Sequence, residues 1–261
     1  MVDERGRISR RTPSPARREA AAGMTGPVAD AAGEQAISGE MPGPNGSPQR
    51  GVRRGEVERA LRDALLTGRF VPGRPVTLRG LAGELGVSPM PVREALRTVA
   101  AGNALEIREN GRIQVPRMTA ERFGEILDAR LLLEPELARR AAPTLGRGDA
   151  AELEAIDTEI DASLENGDVD TYMRLNHAFH FRIYSAAGSS VILPLVETLW
   201  LQFGPFMRTV YGRLGTAALV DHHKEAVSAI RAADTEALAA AVAGDIRCGM
   251  TLLADAGLAA D

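Results

Sequence analysis

The sequence predicts a mainly α protein: a winged helix-turn-helix module followed by an all-α helical bundle. Three observations carry this. Apolar residues recur at three- and four-residue steps through most of the chain after residue 56, the periodicity of buried helix faces. Two short stretches of that kind are parted by a tight Gly-Val-Ser turn. Beyond them, Ala104–Glu109 and Arg112–Val115 flank Asn110-Gly111, a strong two-residue hairpin signal because both positions accept positive φ.

Residues 1–52 mix Ala, Gly, Pro, Ser and Arg without apolar periodicity (TPSPARREAAAG, MPGPNGSPQRG). Such a stretch buries too little surface to offset chain entropy, so a disordered tail is expected, with Met24 and Met41 as alternative first residues. Helix one follows from Val57, Ala60, Leu61, Ala64 and Leu65 and stops at Gly68. Thr77 can cap a second helix whose face is Leu78, Leu81, Ala82 and Leu85, ended by Gly86. A third starts between Ser88 and Pro91, where prolines fall in a first turn that tolerates missing amide donors, and buries Val92, Ala95, Leu96 and Val99. The hairpin is the wing, and Pro116 closes the module. From the Thr119 cap onward only helices are expected, at about 120–142, 149–166, 168–187, 190–211, 216–233 and 235–258. The expected organisation is therefore a tail over 1–52, a winged module over 53–117 and a helical domain over 118–261.

Charge divides along the same lines. The net charge is −4, yet residues 53–117 carry 12 basic groups, all Arg, against 7 acidic ones, while residues 118–261 carry 12 against 22. A basic module beside an acidic one suits a protein that holds phosphates with one end only. No stretch reads as the roughly 18 apolar residues of a membrane span, and no secretory signal opens the chain, so no membrane partner is expected. Cys248 is the single cysteine and can form no internal disulfide; the cytoplasm is the expected compartment.

The segment from Arg59 to Pro116, above all PVREAL, resembles the winged-helix domain of the GntR family of transcriptional regulators. Downstream, RLLLEPELARRAA, NHAFHFRIYSAAGSS and HKEAVSAI resemble the ligand domain of its FadR-like branch, the FCD domain. The resemblance implies a homodimer on double-stranded operator DNA, reading two half-sites and acting as a repressor. Its helical domain would bind a small effector, a carboxylate, in some members through a metal ion.

With the third helix's apolar stripe buried, Arg93 and Arg97 fall on the opposite face, and Arg is suited to a guanine edge or a phosphate through its planar donor fork. A solvated surface charge is the plainer reading of either. The resemblance adds Arg79 as a contact position, and Asn110, Gly111 and Arg112 form the wing tip. Where many relatives have Arg this chain has Pro89, which leaves Met90 to make apolar contact.

In the helical domain four polar residues stand on or beside apolar stripes. Asn176 and His180 flank Tyr172, Leu175, Phe179 and Ile183; His223 lies with Val220, Val227 and Ile230; Asp245 lies with Leu238, Val242 and Leu252. A carboxylate on an apolar face costs on the order of 3 to 7 kcal/mol unless paired or metal-bound. These positions match the family's metal constellation, usually an acid or amide followed by three histidines, with Asp245 replacing the last. Two imidazoles and two oxygens suit Zn²⁺, Mn²⁺ or Ni²⁺ with positions open to an effector. Ordinary hydrogen-bonded core histidines are the alternative, and His177 and His222 are neighbours in poorer helical phase. Arg130, near the pocket by resemblance, is either a carboxylate clamp for the effector or one half of a structural pair with Glu134. A metal-dependent hydrolase built on His180, His223 and Asp245 is the competing functional class, disfavoured because no separate acid or base is evident and a complete winged helix would go unexplained.

Overall fold

The structure, a computed structural model, describes residues 54–214 and 222–257. The expected tail and residues 216–221 of the expected fifth helix of the bundle lie outside these. Helices α1 (Arg54–Leu66), α2 (Leu78–Glu84) and α3 (Pro89–Ala101) build the head. Leu61, Leu65, Leu81, Val92, Leu96 and Val99 interlock in its core, and α1 and α2 both pack on α3. Thr77 caps α2 by accepting from the Gly80 amide at 3.0 Å. Ser88 sits at the start of α3 in extended conformation without a side-chain cap, so the two prolines set that end.

The wing is a three-stranded antiparallel sheet, β1 (Val76–Thr77), β2 (Glu106–Ile107) and β3 (Arg112–Gln114), in the order β1-β3-β2. Ile113 pairs with Val76 on one side and Ile107 on the other and is buried. Strand β1 was not expected from the sequence, where Thr77 reads only as a cap; the residue ends the strand and starts the helix at once. The hairpin turn also differs. Positive φ is confined to Gly111 (+74°), whose amide donates to the Arg108 carbonyl at 2.8 Å, while the Asn110 side chain accepts from the Arg112 amide at 3.0 Å. Asn110 thus stabilises the turn with its side-chain oxygen rather than a left-handed backbone, and the strands come out shorter than expected.

The second layer is helical throughout the described residues: α4 (Ala120–Ala141), a short 3₁₀ turn at 142–144, α5 (Arg147–Glu165), α6 (Val169–Ser185), α7 (Ile192–Leu214), α8 (His223–Ala232) and α9 (Thr235–Asp255). Thr119 caps α4 as expected, accepting from the Arg122 amide. Helix α4 runs on through Pro135 and lies against α6, α7 and α9, while α5 pairs with α6 and α8. Contrary to the sequence expectation, α9 is long and apolar enough by length and composition to cross a membrane. Its alanines supply that character. Its larger residues form one buried stripe, Leu238, Val242, Ile246, Met250 and Leu253, against α4 and α8, as in the core helix of a bundle.

The head is seated closely on α7. A Cβ placed on Gly204 would meet the Leu65 carbonyl oxygen at 2.9 Å, so the absent side chain is what lets α1 approach. Arg122 donates to the Asn103 carbonyl at 2.7 Å and to Gln202 at 2.9 Å, and Arg208 donates to the Thr67 carbonyl at 3.2 Å.

Candidate functional site

On the head, burial of Val92, Ala95, Leu96 and Val99 turns the other side of α3 outward. Met90 is 63% exposed and Arg93 and Arg97 are exposed. Arg97 donates to Glu94 at 3.1 Å, a surface pair of the kind worth about 0 to 1 kcal/mol, which a phosphate can displace. Arg79, on the first turn of α2, and the wing-tip residues Asn110, Gly111 and Arg112 are exposed too. Arg108, beside the tip and paired with Glu106 at 3.2 Å, was missed by sequence reasoning; its place in a strand-flanking run was the available signal.

In the bundle, α6, α8 and α9 bring three predicted residues together. His180 Nε2 lies 3.1 Å from Asp245 Oδ2, His223 Nε2 lies 3.8 Å from Asp245 Oδ1, and ligand atoms of all three fall within 4.8 Å of one another. Both imidazoles are buried, and Asp245 is largely so. Asn176, buried on α6, joins Asp245 and Arg130 in lining a cavity of about 20 Å³, room for one water or one ion.

The outer nitrogens of the imidazoles are also held. His223 Nδ1 is 3.0 Å from Asp157 Oδ1, a buried carboxylate on α5. His180 Nδ1 is 3.1 Å from the Tyr184 hydroxyl, which donates to Glu134 Oε2 at 2.7 Å. Tyr184 has one proton and gives it to Glu134, so it accepts from His180; Asp157 can only accept from His223. In the neutral state each imidazole therefore carries its proton on Nδ1 and turns the Nε2 lone pair toward Asp245. In that state two ring nitrogens and a carboxylate face one another. His180 Nε2 finds no hydrogen bond among the described residues, since its approach to Asp245 lacks the alignment of one. A cation resolves this conflict, and the donor set fits a divalent ion whose histidines are oriented from outside by a carboxylate or hydroxyl. Burial alone would raise the Asp245 carboxyl; the protonated form of His180 above all, then that of His223, and Arg130 outweigh it and hold the group well below the usual carboxylate range.

Arg130 is buried in a two-point ion pair with Glu134, Nε to Oε1 at 2.5 Å and Nη2 to Oε2 at 3.2 Å, with its guanidinium over Trp200 and Phe203. Trp200 Nε1 donates to the same carboxylate at 3.2 Å. Of the two sequence readings of Arg130, the structural pair with Glu134 is present, and Arg130 also lines the small cavity.

The neighbouring histidines stand apart from the cluster. His177 is stacked on Phe181 at 4.1 Å, and burial, then the charge of His180, pushes its pKa down to about 4. His222 directs Nε2 toward Cys248 Sγ at 3.6 Å, though its backbone amide donates to Asp245 at 3.4 Å. Asp157 and Tyr184 were not singled out from the sequence. Asp157 had a legible signal, since it falls on the stripe Leu153, Ile160 of α5, where only a paired carboxylate is tolerated.

Comparison with known proteins gives consistent matches. The model of bacterial regulatory proteins of the gntR family matches residues 53–115, and that of the FCD domain matches residues 125–247. The HTH-type transcriptional regulator McbR of Escherichia coli K12 is 29% identical over 184 residues, covering 69% of this chain and 83% of that protein. The gluconate operon transcriptional repressor of Bacillus licheniformis is 28% identical over 153 residues, covering 57% of this chain and 59% of the repressor. The solved structure of E. coli McbR/YncC superposes with a TM-score of 0.73 at 27% identity, covering 77% of this chain and 97% of that one.

Proposed function

Because the chain belongs to the gntR family of bacterial regulatory proteins, in the branch with an FCD domain, and is a DNA-binding transcriptional regulator, we propose that it is a cytoplasmic, dimeric repressor switched by a small carboxylate. Residues 53–117 are assigned to operator binding and 118–261 to sensing. The observation that carries the sensing half is the convergence of His180 Nε2 and His223 Nε2 on the largely buried Asp245 carboxylate, beside a buried Arg130. His180, His223 and Asp245, with the Asn176 amide oxygen, would hold a divalent ion such as Zn²⁺, Mn²⁺ or Ni²⁺. When bound, the ion supplies positive charge to attract an anionic ligand.

The protein's own residues do the rest. Asp157 and Tyr184 fix both imidazoles in the tautomer that turns Nε2 toward Asp245, and Glu134 fixes Tyr184. Arg130 offers its remaining N–H groups to a carboxylate in the adjoining cavity, which must widen to admit more than an ion. On the head, Arg93, Arg97 and Met90 read the major groove from α3, Arg79 holds backbone, and Asn110, Gly111 and Arg112 approach with the wing. The competing reading, a hydrolase, gains nothing: the acids and the hydroxyl around the cluster are committed to orienting histidines or to Arg130.

The test is a mobility shift on DNA upstream of the protein's own gene at two salt concentrations, with and without Zn²⁺ and a panel of small carboxylic acids. Tight, salt-sensitive binding relieved by one acid is expected. Binding that no acid relieves, in the metal-loaded protein, would overturn the sensing half, and no binding at all would overturn the operator half.

A further inference from the structure

A large cavity lined by none of His180, His223 and Asp245 lies at the seam between head and bundle. It measures about 730 Å³ and is walled by α1, by the turn after α2 and by α6. That is within the range of pockets that enclose a small molecule, roughly 300 to 1,000 Å³, whereas the space at the cluster is about 20 Å³. The seam around it is not loosely packed. Gly204 admits the backbone of Leu65 and Leu66, and Arg208 and Arg122 tie the head to the bundle, so the elements beside this open cleft are held in place.

Its chemistry is two-sided. Val57, Leu66, Val87 and Met173 line the floor. On the α1 rim the exposed Asp63 faces Arg59 and Arg69, and partial burial raises its carboxyl despite them. On the α6 rim Arg174 is exposed and lies within electrostatic reach of Asp168. One turn on, the His177 ring reaches the cavity with no hydrogen bond assigned to it there, its other side packed on Phe181 and against Trp200.

We propose that this cavity is a second small-molecule site, for an amphipathic organic anion whose apolar body lies on the Val57–Met173 floor and whose acid group meets Arg174. Such an occupant touches α1, on which the reading helix α3 packs, and α6, which carries Asn176 and His180. It is distinct from the metal cluster, and the assignment does not rest on that cluster being loaded.

The probe is 8-anilinonaphthalene-1-sulfonate, an aromatic body with one fixed negative charge, titrated into the full-length chain. Trp200 is the single tryptophan and its ring lies 5.6 Å from that of His177, so dye in the cavity takes up its emission. Saturable binding of one dye per chain, with quenching of Trp200, is expected. Arg174→Glu, at an exposed position, and Ala60→Phe, which fills the floor, should each weaken it about ten-fold or more, while Asp245→Asn should leave it within about three-fold. Absence of saturable binding overturns the proposal, as does parental affinity in either folded cavity variant. Loss of binding in Asp245→Asn would place the dye at the cluster and overturn it as well, leaving the regulator reading untouched. Should Ala60→Phe fail to fold, Arg174→Glu decides alone.

Discussion

Asp157 is not itself one of the candidate metal ligands, yet its removal should be felt at them. Its carboxylate is buried and lies 3.0 Å from His223 Nδ1. Asp157→Asn keeps the shape and an oxygen acceptor but removes the charge that makes His223 a stronger donor through Nε2. Losses of about 10- to 100-fold in metal affinity are typical when such an orienting partner is changed, about 1.4 to 2.8 kcal/mol. A second effect competes with this. If the cluster were only a protonated His223 between two acids, the substitution would break a buried ion pair at about 3 to 5 kcal/mol, with or without metal. Zn²⁺ affinity, measured by competition with a chromogenic chelator, and thermal unfolding of the metal-free and metal-loaded chain separate the two. We expect little change in the metal-free Tm and a lowered Zn²⁺ affinity, so that the stabilisation by added metal, about 2.7 kcal/mol at a hundred times Kd, needs correspondingly more metal. An unchanged Zn²⁺ affinity, or a large loss confined to the metal-free protein, would refute the orienting role.

Three further outcomes test other parts of the molecule. Arg93→Ala should weaken operator binding by about 1 to 3 kcal/mol in a mobility shift without altering the circular dichroism, and unchanged affinity would remove α3 as the reading face. Gly204→Ala gains helix propensity of about 1 kcal/mol but drives a methyl to 2.9 Å from the Leu65 oxygen, so a net loss of about 1 to 2 kcal/mol in denaturant unfolding is expected, against a gain if α1 can retreat freely. Leu132 on α4 is 74% exposed, and Leu132→Glu should shift the chain toward monomer in light scattering if α4 forms the dimer face; an unchanged dimer would exclude that face.

Much of the fold was legible because each helix carries its own punctuation. Thr77 and Thr119 cap where their spacing places them, and the buried stripe of α3 is the one its periodicity names. What was not legible depends on residues far apart in sequence. Strand β1 exists because Ile113 offers an edge to Val76, and nothing near Val76 announces it. The turn at Gly111 settled into a form in which Asn110 uses its side chain, a choice between near-equal local geometries that neighbouring strands decide.

The cluster shows the same division more sharply. That His180, His223 and Asp245 are anomalies on apolar faces could be read from spacing, but their meaning comes from partners on other helices. Asp157 and Tyr184 accept from the outer nitrogens and so direct the inner ones toward Asp245. Relative to the family pattern of an acid or amide followed by three histidines, this chain holds the amide on α6 and its carboxylate on α9. The displacement is consistent with the surroundings. Asp245 on α9 lies where Arg130 helps hold it ionised, whereas Asn176 shares that small cavity without adding a second negative charge. A second carboxylate there would compete with an incoming acid for Arg130 and the cation alike. Asn176→Asp is therefore expected to tighten Zn²⁺ binding in the chelator assay while weakening relief of operator binding by the effector acid, and tightening of both would contradict a site tuned to leave charge for its ligand.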